Sequence, residues 1–362
     1  MNIDFHYGVI YIVSRLAGLE REDAEVVAHA CQYVDDATTD GVLEFAGGES
    51  FDRFASAHKL LDYKNELNAQ NRLVWAPFHF LPGGDGDSLD EKAVCRPDST
   101  VARRMVRRAI DDKQADNALH RLGVTLHVYV DTWAHQGFSG IKSNHNIVTA
   151  LEAGRDYPHE ACLAWLKERF EIIESNVEAR LLNLISKLGH GSALSFPDWP
   201  WAKWSYRNGH GQMIHRDNLP DFMAAADMAC KAVQGFIRGN QRYEMEAGLP
   251  PTARTALQTL LGNNREQDQN NRLATLGRHL ADGHIPGLKE SIPGYTAKGR
   301  GSWKFMATGL ERDEDELKQP GPSWSPDFET SDYRKFHDAI KEHRFVVTQQ
   351  LLPAPDIGLR LA

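Results

Sequence analysis

The stretch that decides the fold runs Leu119-His-Arg-Leu-Gly-Val-Thr-Leu-His127-Val-Tyr-Val-Asp131-Thr-Trp-Ala-His135. Its apolar residues recur at helical spacing, which predicts an inward-facing helix. Residues four positions apart lie one turn above each other, so His127, Asp131 and His135 project from a single face. Imidazole and carboxylate groups are the usual non-thiolate ligands of zinc. The spacing therefore predicts a partial site for one metal ion or two neighbouring ions.

The alternative for this helix is a structural role without a metal ion, in which the histidines and the aspartate only hydrogen-bond with one another. The flanking residues Leu126, Val130 and Trp133 are apolar, which indicates that the polar face is buried as well. Burying three such groups unpaired is costly, and metal coordination removes that cost. We therefore favour the metal site.

Outside this stretch the pattern predicts a mainly α-helical fold, because strand-like alternation is nearly absent. Further helices are expected at about residues 9–17, 21–36, 101–110, 163–188, 221–237, 253–261, 270–282 and 333–352. Residues 71–99 are rich in proline and glycine, which predicts an irregular functional loop. We expect a helical metal-binding catalytic domain over residues 1–240 and a C-terminal helical extension or wrapping arm over residues 241–362.

Composition argues against a nucleic-acid-binding protein or a membrane-spanning protein. The chain has 362 residues and a formal net charge of −9, so no general positive field attracts nucleic acid. Its four cysteines are far apart, which is typical of reduced thiols in a reducing compartment. The N-terminus lacks the features of a secretory signal, so we expect a cytoplasmic protein, with leaderless export left open. No apolar run approaches the roughly 20 residues that a membrane span requires.

Asp35 is a second indication of a cation site. The apolar stripe Ala24, Val27, Ala28 and Cys31 continues onto Asp35 at helical spacing, so this carboxylate should face inward. The alternative is a helix-end residue that is hydrogen-bonded to a loop. The same geometry predicts that His29 faces solvent.

Three further histidines are candidates, although a lone histidine of this kind is more often a hydrogen-bonded core residue than a metal ligand. His6 lies on the inner face of the first helix, His79 lies among aromatic residues, and His190 follows a predicted helix stop. The roles of His58 and His120 stay open. The dipeptide His337-Asp338 is typical of HD-type phosphohydrolases, but short dipeptides recur by chance. Nucleophile elbows, phosphate loops and H-E-x-x-H are missing from the sequence.

Taken in order, these residues resemble a known family. The series His6, Gln32-Tyr33-Val34-Asp35, Phe78-His79-Phe80, His127-x3-Asp131-x3-His135 and Gly189-His190-Gly191 resembles the zinc-dependent phospholipase C and single-strand-specific nuclease superfamily. That resemblance covers roughly residues 1 to 200. Segments 127–137 and 198–218 also resemble a bacterial family without an assigned activity.

The resemblance implies an all-helical fold with zinc ions at the base of a cleft. Asp35, His79, His127 and Asp131 would hold one ion or bridge two ions. His135 and His190 would hold another ion, with Asp198 as the nearest acidic partner, and His6 would help to hold a third. Secreted members also use the amino group of an N-terminal tryptophan as a ligand, whereas this sequence opens on Met1.

We therefore expect a metal-dependent hydrolase that cleaves phosphodiester or other phosphate-ester bonds, with Asp35 as the catalytic residue. Zinc is the favoured metal, with two or three ions possible, and another divalent metal is left open. The substrate would be a small molecule or a phospholipid, because the aromatic segment 196–206 could line a cleft for an acyl group. Its alternative is a buried loop clasp. The alternative functions are a non-catalytic, metal-stabilised binding protein and an HD-type phosphohydrolase.

Overall fold

The structure is a computed structural model that describes residues 1–58, 68–153, 189–317 and 321–361. The helix predicted at 163–188 lies outside these residues. The α-helices are α1 (Ile10–Ala17), α2 (Arg21–Asp36), α3 (Asn68–Phe78), α4 (Leu89–Lys92), α5 (Thr100–Asp111), α6 (Ala118–Ala134), α7 (Asn218–Arg238), α8 (Pro251–Asn263), α9 (Gln269–Ala281), α10 (Trp303–Thr308) and α11 (Asp332–Phe345). A π-helical segment, Asp4–Val9, precedes α1, and another, Val346–Leu351, follows α11.

The prediction of a mainly α fold is wrong, because the described residues form a mixed α/β fold with 53% helix and 9% strand. The strands are β1 (Gly41–Glu44), β2 (Ser50–Arg53), β3 (Val148–Ala153), β4 (Lys203–Asn208) and β5 (Met213–Asp217). They form the antiparallel pair β1-β2 and the antiparallel sheet β3-β4-β5.

These strands are short, so their alternation is easily overlooked. In β4, Trp204, Tyr206 and Asn208 are buried, while Lys203 and Arg207 are exposed. That period of two is the signature of a strand, but its aromatic content suggested a clasp or a cleft wall. The stretch predicted to be irregular also differs, because α3 enters it and carries Pro77 in its last turn.

Helix α6 lies at the centre of the molecule and packs against α2, α5, α7 and α11. It approaches α2 closely at Gly123. A β-carbon added there would lie 2.4 Å from the Val27 carbonyl oxygen and 2.6 Å from the Ala30 β-carbon. Only glycine allows this crossing, which brings the C-terminal half of α2 beside the histidine-bearing face of α6.

A buried ion pair connects the N-terminal segment to the C-terminal part of the chain. Arg272 in α9 donates two hydrogen bonds of 2.9 Å to the Asp4 carboxylate, and both side chains are buried. One cluster of buried apolar residues extends from Met1 to Leu361. It contains residues from both sides of position 240, where the domain boundary stays a prediction. No helix in the described part of the chain is long and apolar enough to cross a membrane.

Candidate metal centre

Helix α6 positions the three polar residues that its spacing singled out. His127 and Asp131 are 0% and 1% exposed, and His135, directly after the helix, is 5% exposed. Because the apolar residues of α6 are also buried, the helix is enclosed on all sides. Three ionisable groups thus lie in the interior of the protein.

Four of the histidines around this helix share one arrangement: one ring nitrogen is hydrogen-bonded to a backbone carbonyl and the other is directed at carboxylates. The anchored nitrogens and their carbonyl acceptors are His79 Nε2 with Ser56 at 2.9 Å, His127 Nδ1 with Cys31 at 2.8 Å, His135 Nδ1 with His79 at 2.7 Å and His190 Nδ1 with Leu194 at 3.0 Å. Metal-binding histidines are almost always oriented in this way, since the anchor fixes the tautomer and the ring.

The first group of converging atoms belongs to Asp35, His79, His127 and Asp131. His127 Nε2 lies 3.3 Å from His79 Nδ1, 3.4 Å from Asp131 Oδ2 and 3.8 Å from Asp35 Oδ1. His79 Nδ1 lies 3.7 Å from both Asp35 Oδ1 and Asp131 Oδ2. Bonds of about 2.1 Å in a tetrahedron would separate ligand atoms by about 3.4 Å. This group could therefore hold one ion.

A second group lies one helical turn further along α6. His135 Nε2 is 3.3 Å from Asp198 Oδ1, and His190 Nε2 is 3.5 Å from Asp198 Oδ2. One donor atom from each of these three residues lies within 4.8 Å of the others. Asp198 thus provides the acidic partner of His190. It is adjacent in space although the sequence offered it only as the nearest candidate.

A third group forms on the other oxygen of Asp131. The Met1 amino group lies 2.6 Å from Asp131 Oδ1 and 3.3 Å from Asp198 Oδ1. His6 Nε2 lies 3.2 Å from Asp131 Oδ1. Asp131 therefore faces the first group with one oxygen and the third with the other. Composition and spacing gave no signal for the Met1 amine, and only the resemblance hinted at an amino-group ligand.

The charges of the centre explain its titration. Burial alone would raise the pKa of the Asp131 carboxyl, but His135, the Met1 amine and His6 hold that pKa well below its usual value. Burial disfavours the Met1 ammonium group, yet Asp131 and Asp198 raise its pKa to about 11. Burial lowers the pKa of His6 and of His190 to about 4. His6 and His190 are therefore neutral at pH 7, as metal ligands must be.

Two atoms indicate that the centre is incomplete without a cation. Among the residues that the structure describes, neither His6 Nε2 nor Asp131 Oδ2 has a hydrogen-bond partner. Unsatisfied buried polar atoms of this kind are rare in folded proteins. An ion in the first group would satisfy Asp131 Oδ2, and an ion in the third group would satisfy His6 Nε2.

Cys31 contacts the centre, but its thiol is held in the protonated form, whereas a cysteine that binds a metal ion does so as a thiolate. Its Sγ lies 3.7 Å from His6 Nδ1. Burial raises the pKa of this thiol well above its usual value, and the nearby Asp131 and Asp35 carboxylates raise it further. For His6 Nε2 to bind a metal ion, the imidazole proton would be on Nδ1 and would be donated to the Cys31 sulfur.

The structure corrects the prediction for His29. It is buried, not solvent-facing, and its ring stacks on Trp303 with centroids 3.9 Å apart. The helical face that carries His29 looked polar, but α10 covers it. His120 lies outside the centre and hydrogen-bonds Asp332 at 3.0 Å.

His337 and Asp338 lie in separate surroundings. The His337 ring contacts Phe51, Tyr333 and Phe336 edge-on, and Asp338 accepts a hydrogen bond from Arg334. Their neighbours are thus aromatic rings and an arginine, and neither belongs to the clusters of potential metal ligands found in the described segments.

The comparisons with known proteins identify a family and no function. The profile described as "Family of unknown function (DUF6765)" matches residues 1–351. The chain belongs to this family. No curated protein and no solved structure matches it. The geometry of the site is therefore the basis for the chemistry proposed for this DUF6765 chain.

Proposed function

We propose that this chain is a zinc-dependent hydrolase of phosphodiester or other phosphate-ester bonds, similar to phospholipase C. The arrangement of the histidines carries the proposal: each of four imidazoles is anchored by a backbone carbonyl and turns its other nitrogen toward a shared set of carboxylates. Structural histidines need no such common focus. An array of this kind is built to hold cations.

The ligand types favour zinc. The first group combines two imidazoles with two carboxylates, and the second combines two imidazoles with one carboxylate. Calcium and magnesium prefer all-oxygen sites, whereas imidazole suits zinc and other transition ions. Two ions would occupy the first and second groups, and a third would require the Met1 amine to lose its proton.

The exposed edge of the centre favours catalysis. The side chain of Asp35 is 32% exposed, whereas that of Asp131 is 1% exposed. Asp198 and His190 are also partly open, at 14% and 17%. Solvent and substrate would therefore enter on the Asp35 side, while Asp131 forms the closed base.

Asp35 is the candidate catalytic residue at this edge. Bound zinc would polarise phosphoryl oxygens and lower the pKa of a water molecule. The Asp35 carboxylate would orient that water and accept its hydrogen bond. Although the side chain is partly exposed, the protein atoms around the Asp35 carboxyl desolvate it and raise its pKa well above the usual value, while the Met1 amine opposes the shift. A neighbouring cation would restore the ionised form.

The substrate would be a small phosphate ester or a phospholipid. The aromatic segment gives no preference between them, because Phe196, Trp199, Trp201, Trp204 and Tyr206 are all buried. They form a core under the β3-β4-β5 sheet and beside Asp198. This is the buried alternative considered for that segment, and no cleft wall remains for an acyl chain there.

A non-catalytic, metal-stabilised binding protein is the second candidate. The observation in its favour is the complete burial of His6, His127 and the Met1 amine, since structural sites are closed. The open side of Asp35 distinguishes the two functions.

A substrate screen tests the proposal. Zinc-loaded and chelated protein would be assayed with chromogenic phosphodiesters, phosphomonoesters and phosphocholine esters. We expect hydrolysis only by the zinc-loaded protein, and a loss of at least about 100-fold in Asp35→Asn at equal zinc content. Zinc-loaded protein without activity on any of these substrates would favour the binding protein. Equal rates would remove Asp35 from the mechanism.

A further inference from the structure

A second cluster of metal-ligand side chains lies apart from the centre. It comprises Asp90 in α4, His145 in the 3-10 turn Asn144–Asn146 and His210 in the turn between β4 and β5. His145 Nε2 and His210 Nε2 lie 3.6 Å and 3.3 Å from the same oxygen, Asp90 Oδ2. The two imidazole rings have centroids 4.4 Å apart. Three separate segments thus direct their donor atoms to one point.

Each of these segments is fixed locally by a side-chain cap. Ser88 begins α4 with a reciprocal capping box, so the helix turn that carries Asp90 is defined. Ser143 Oγ accepts a hydrogen bond from the His145 backbone N–H at 2.9 Å. Asn208 Oδ1 accepts one from the His210 N–H at 3.1 Å. The three ligand positions therefore owe their backbone geometry to separate caps.

The two histidine-bearing turns are also tied to each other. The Gly209 N–H donates to the Asn144 carbonyl at 3.1 Å. Asn146 is fully buried, and its amide donates to the Ser139 and Ile141 carbonyls at 3.0 and 2.8 Å. The loop that carries His145 is thereby held from inside. Little ordering cost remains for a ligand that bridges the imidazoles.

We propose that Asp90, His145 and His210 form a separate site for a divalent transition ion of the zinc class. One carboxylate oxygen and two Nε2 atoms would bind the ion, and water would complete its coordination. The two imidazoles exclude calcium and magnesium as preferred occupants, since those ions select oxygen ligands. The ion would fasten α4, the 144–146 turn and the β4-β5 hairpin together.

The exposure of the Asp90, His145 and His210 cluster determines how readily a bound ion would exchange with solvent. The side chains of Asp90 and His210 are 34% and 37% exposed, whereas the ligand side chains at the base of the main centre are nearly inaccessible. This ion would exchange with solvent more readily and leave first on mild chelation. The cluster is independent of the proposed hydrolase, because it shares no residue with that centre.

Zinc content tests the site. Wild type, His210→Ala and Asp90→Asn would be equilibrated in the same zinc-buffered solution and analysed for zinc per chain. The matched control is His215→Ala, an exposed histidine on β5 of the same hairpin. We expect each cluster variant to hold one zinc ion fewer than wild type, and the control to equal wild type.

Thermal melting separates a lost ligand from a damaged fold. After chelation, His210→Ala and wild type should have the same melting temperature, because the His210 side chain lies in an exposed turn. Added zinc should then raise the melting temperature of wild type more than that of the variant, since the ion binds only the folded state. Equal zinc content in all four proteins would overturn the proposal. So would the loss of more than one ion, because the cluster would then be supporting the main centre.

Discussion

Asp131 connects all three groups of the centre. Its Oδ2 faces His79, His127 and His135, while its Oδ1 faces His6 and the Met1 amine. Each oxygen therefore interacts with buried groups around it: Oδ1 with the Met1 ammonium group and an imidazole, and Oδ2 with imidazoles. Loss of this carboxylate would leave a buried ammonium group and several imidazoles without their partner.

Asp131→Ala should lose bound zinc and stability together. Removing one partner of a buried ion pair costs about 3–5 kcal/mol, because the other charge stays uncompensated. Urea unfolding of chelated wild type and variant measures that cost, and elemental analysis measures the metal. His215→Ala should match wild type in both. Unchanged zinc content and unfolding midpoint in Asp131→Ala would show that Asp131 is not central.

At the level of secondary structure, the crossing of α2 and α6 positions the centre. Helix α2 provides Asp35 and the Cys31 carbonyl that orients His127, and α6 provides His127 itself. Gly123 sets the distance between them, since an added β-carbon meets the Val27 backbone. The helices must separate if this residue becomes larger.

Gly123→Ala should therefore destabilise the protein by about 1–3 kcal/mol, the usual cost of overpacking. It should also weaken zinc binding, because Asp35 and His127 move apart. The control is Gly277→Ala in α9, where the nearest atom to an added β-carbon is 4.0 Å away. That change should be neutral or stabilise the helix. Denaturant unfolding measures the stability of both variants, and zinc titration measures their zinc affinity. If Gly123→Ala and Gly277→Ala have the same stability and the same zinc affinity, the helix crossing does not position the centre.

Helical periodicity was enough to place His127, Asp131 and His135 on one face and to bring Asp35 beside them, although the Asp35 side chain is partly exposed. It could not assign His29, because the helix α10 that covers it comes from a distant part of the sequence. The short strands were missed because four to six residues give too few alternations to detect. The Met1 amine and Asp198 meet only through tertiary contacts, so no local pattern could pair them.

Over the whole molecule, buried neutral histidines couple the fold to pH. Burial lowers the pKa of His29 and His337 to about 3 and that of His343 to about 4. The ordinary value is about 6.5, so the unfolded chain takes up protons that the folded chain resists. Their contribution to stability is complete above pH ~6.5 and is lost as the pH falls toward ~4.

Chelated protein should therefore melt at progressively lower temperature between pH 7 and pH 4. His343→Gln should reduce this dependence, since glutamine can donate to the Pro77 carbonyl that His343 Nε2 contacts, without titrating. His215→Ala should follow wild type. A melting temperature that stays constant down to pH 4 would contradict the assignment of these histidines as buried and neutral.

The proposed function requires the histidines and carboxylates around α6 to be metal ligands. Zinc-edge anomalous diffraction from crystals of protein purified with zinc tests it most directly. We predict one peak within about 2.1 Å of His127 Nε2 and His79 Nδ1, and a second at the same distance from His135 Nε2 and His190 Nε2. Crystals that diffract well and show no anomalous peak among these side chains would contradict the claim.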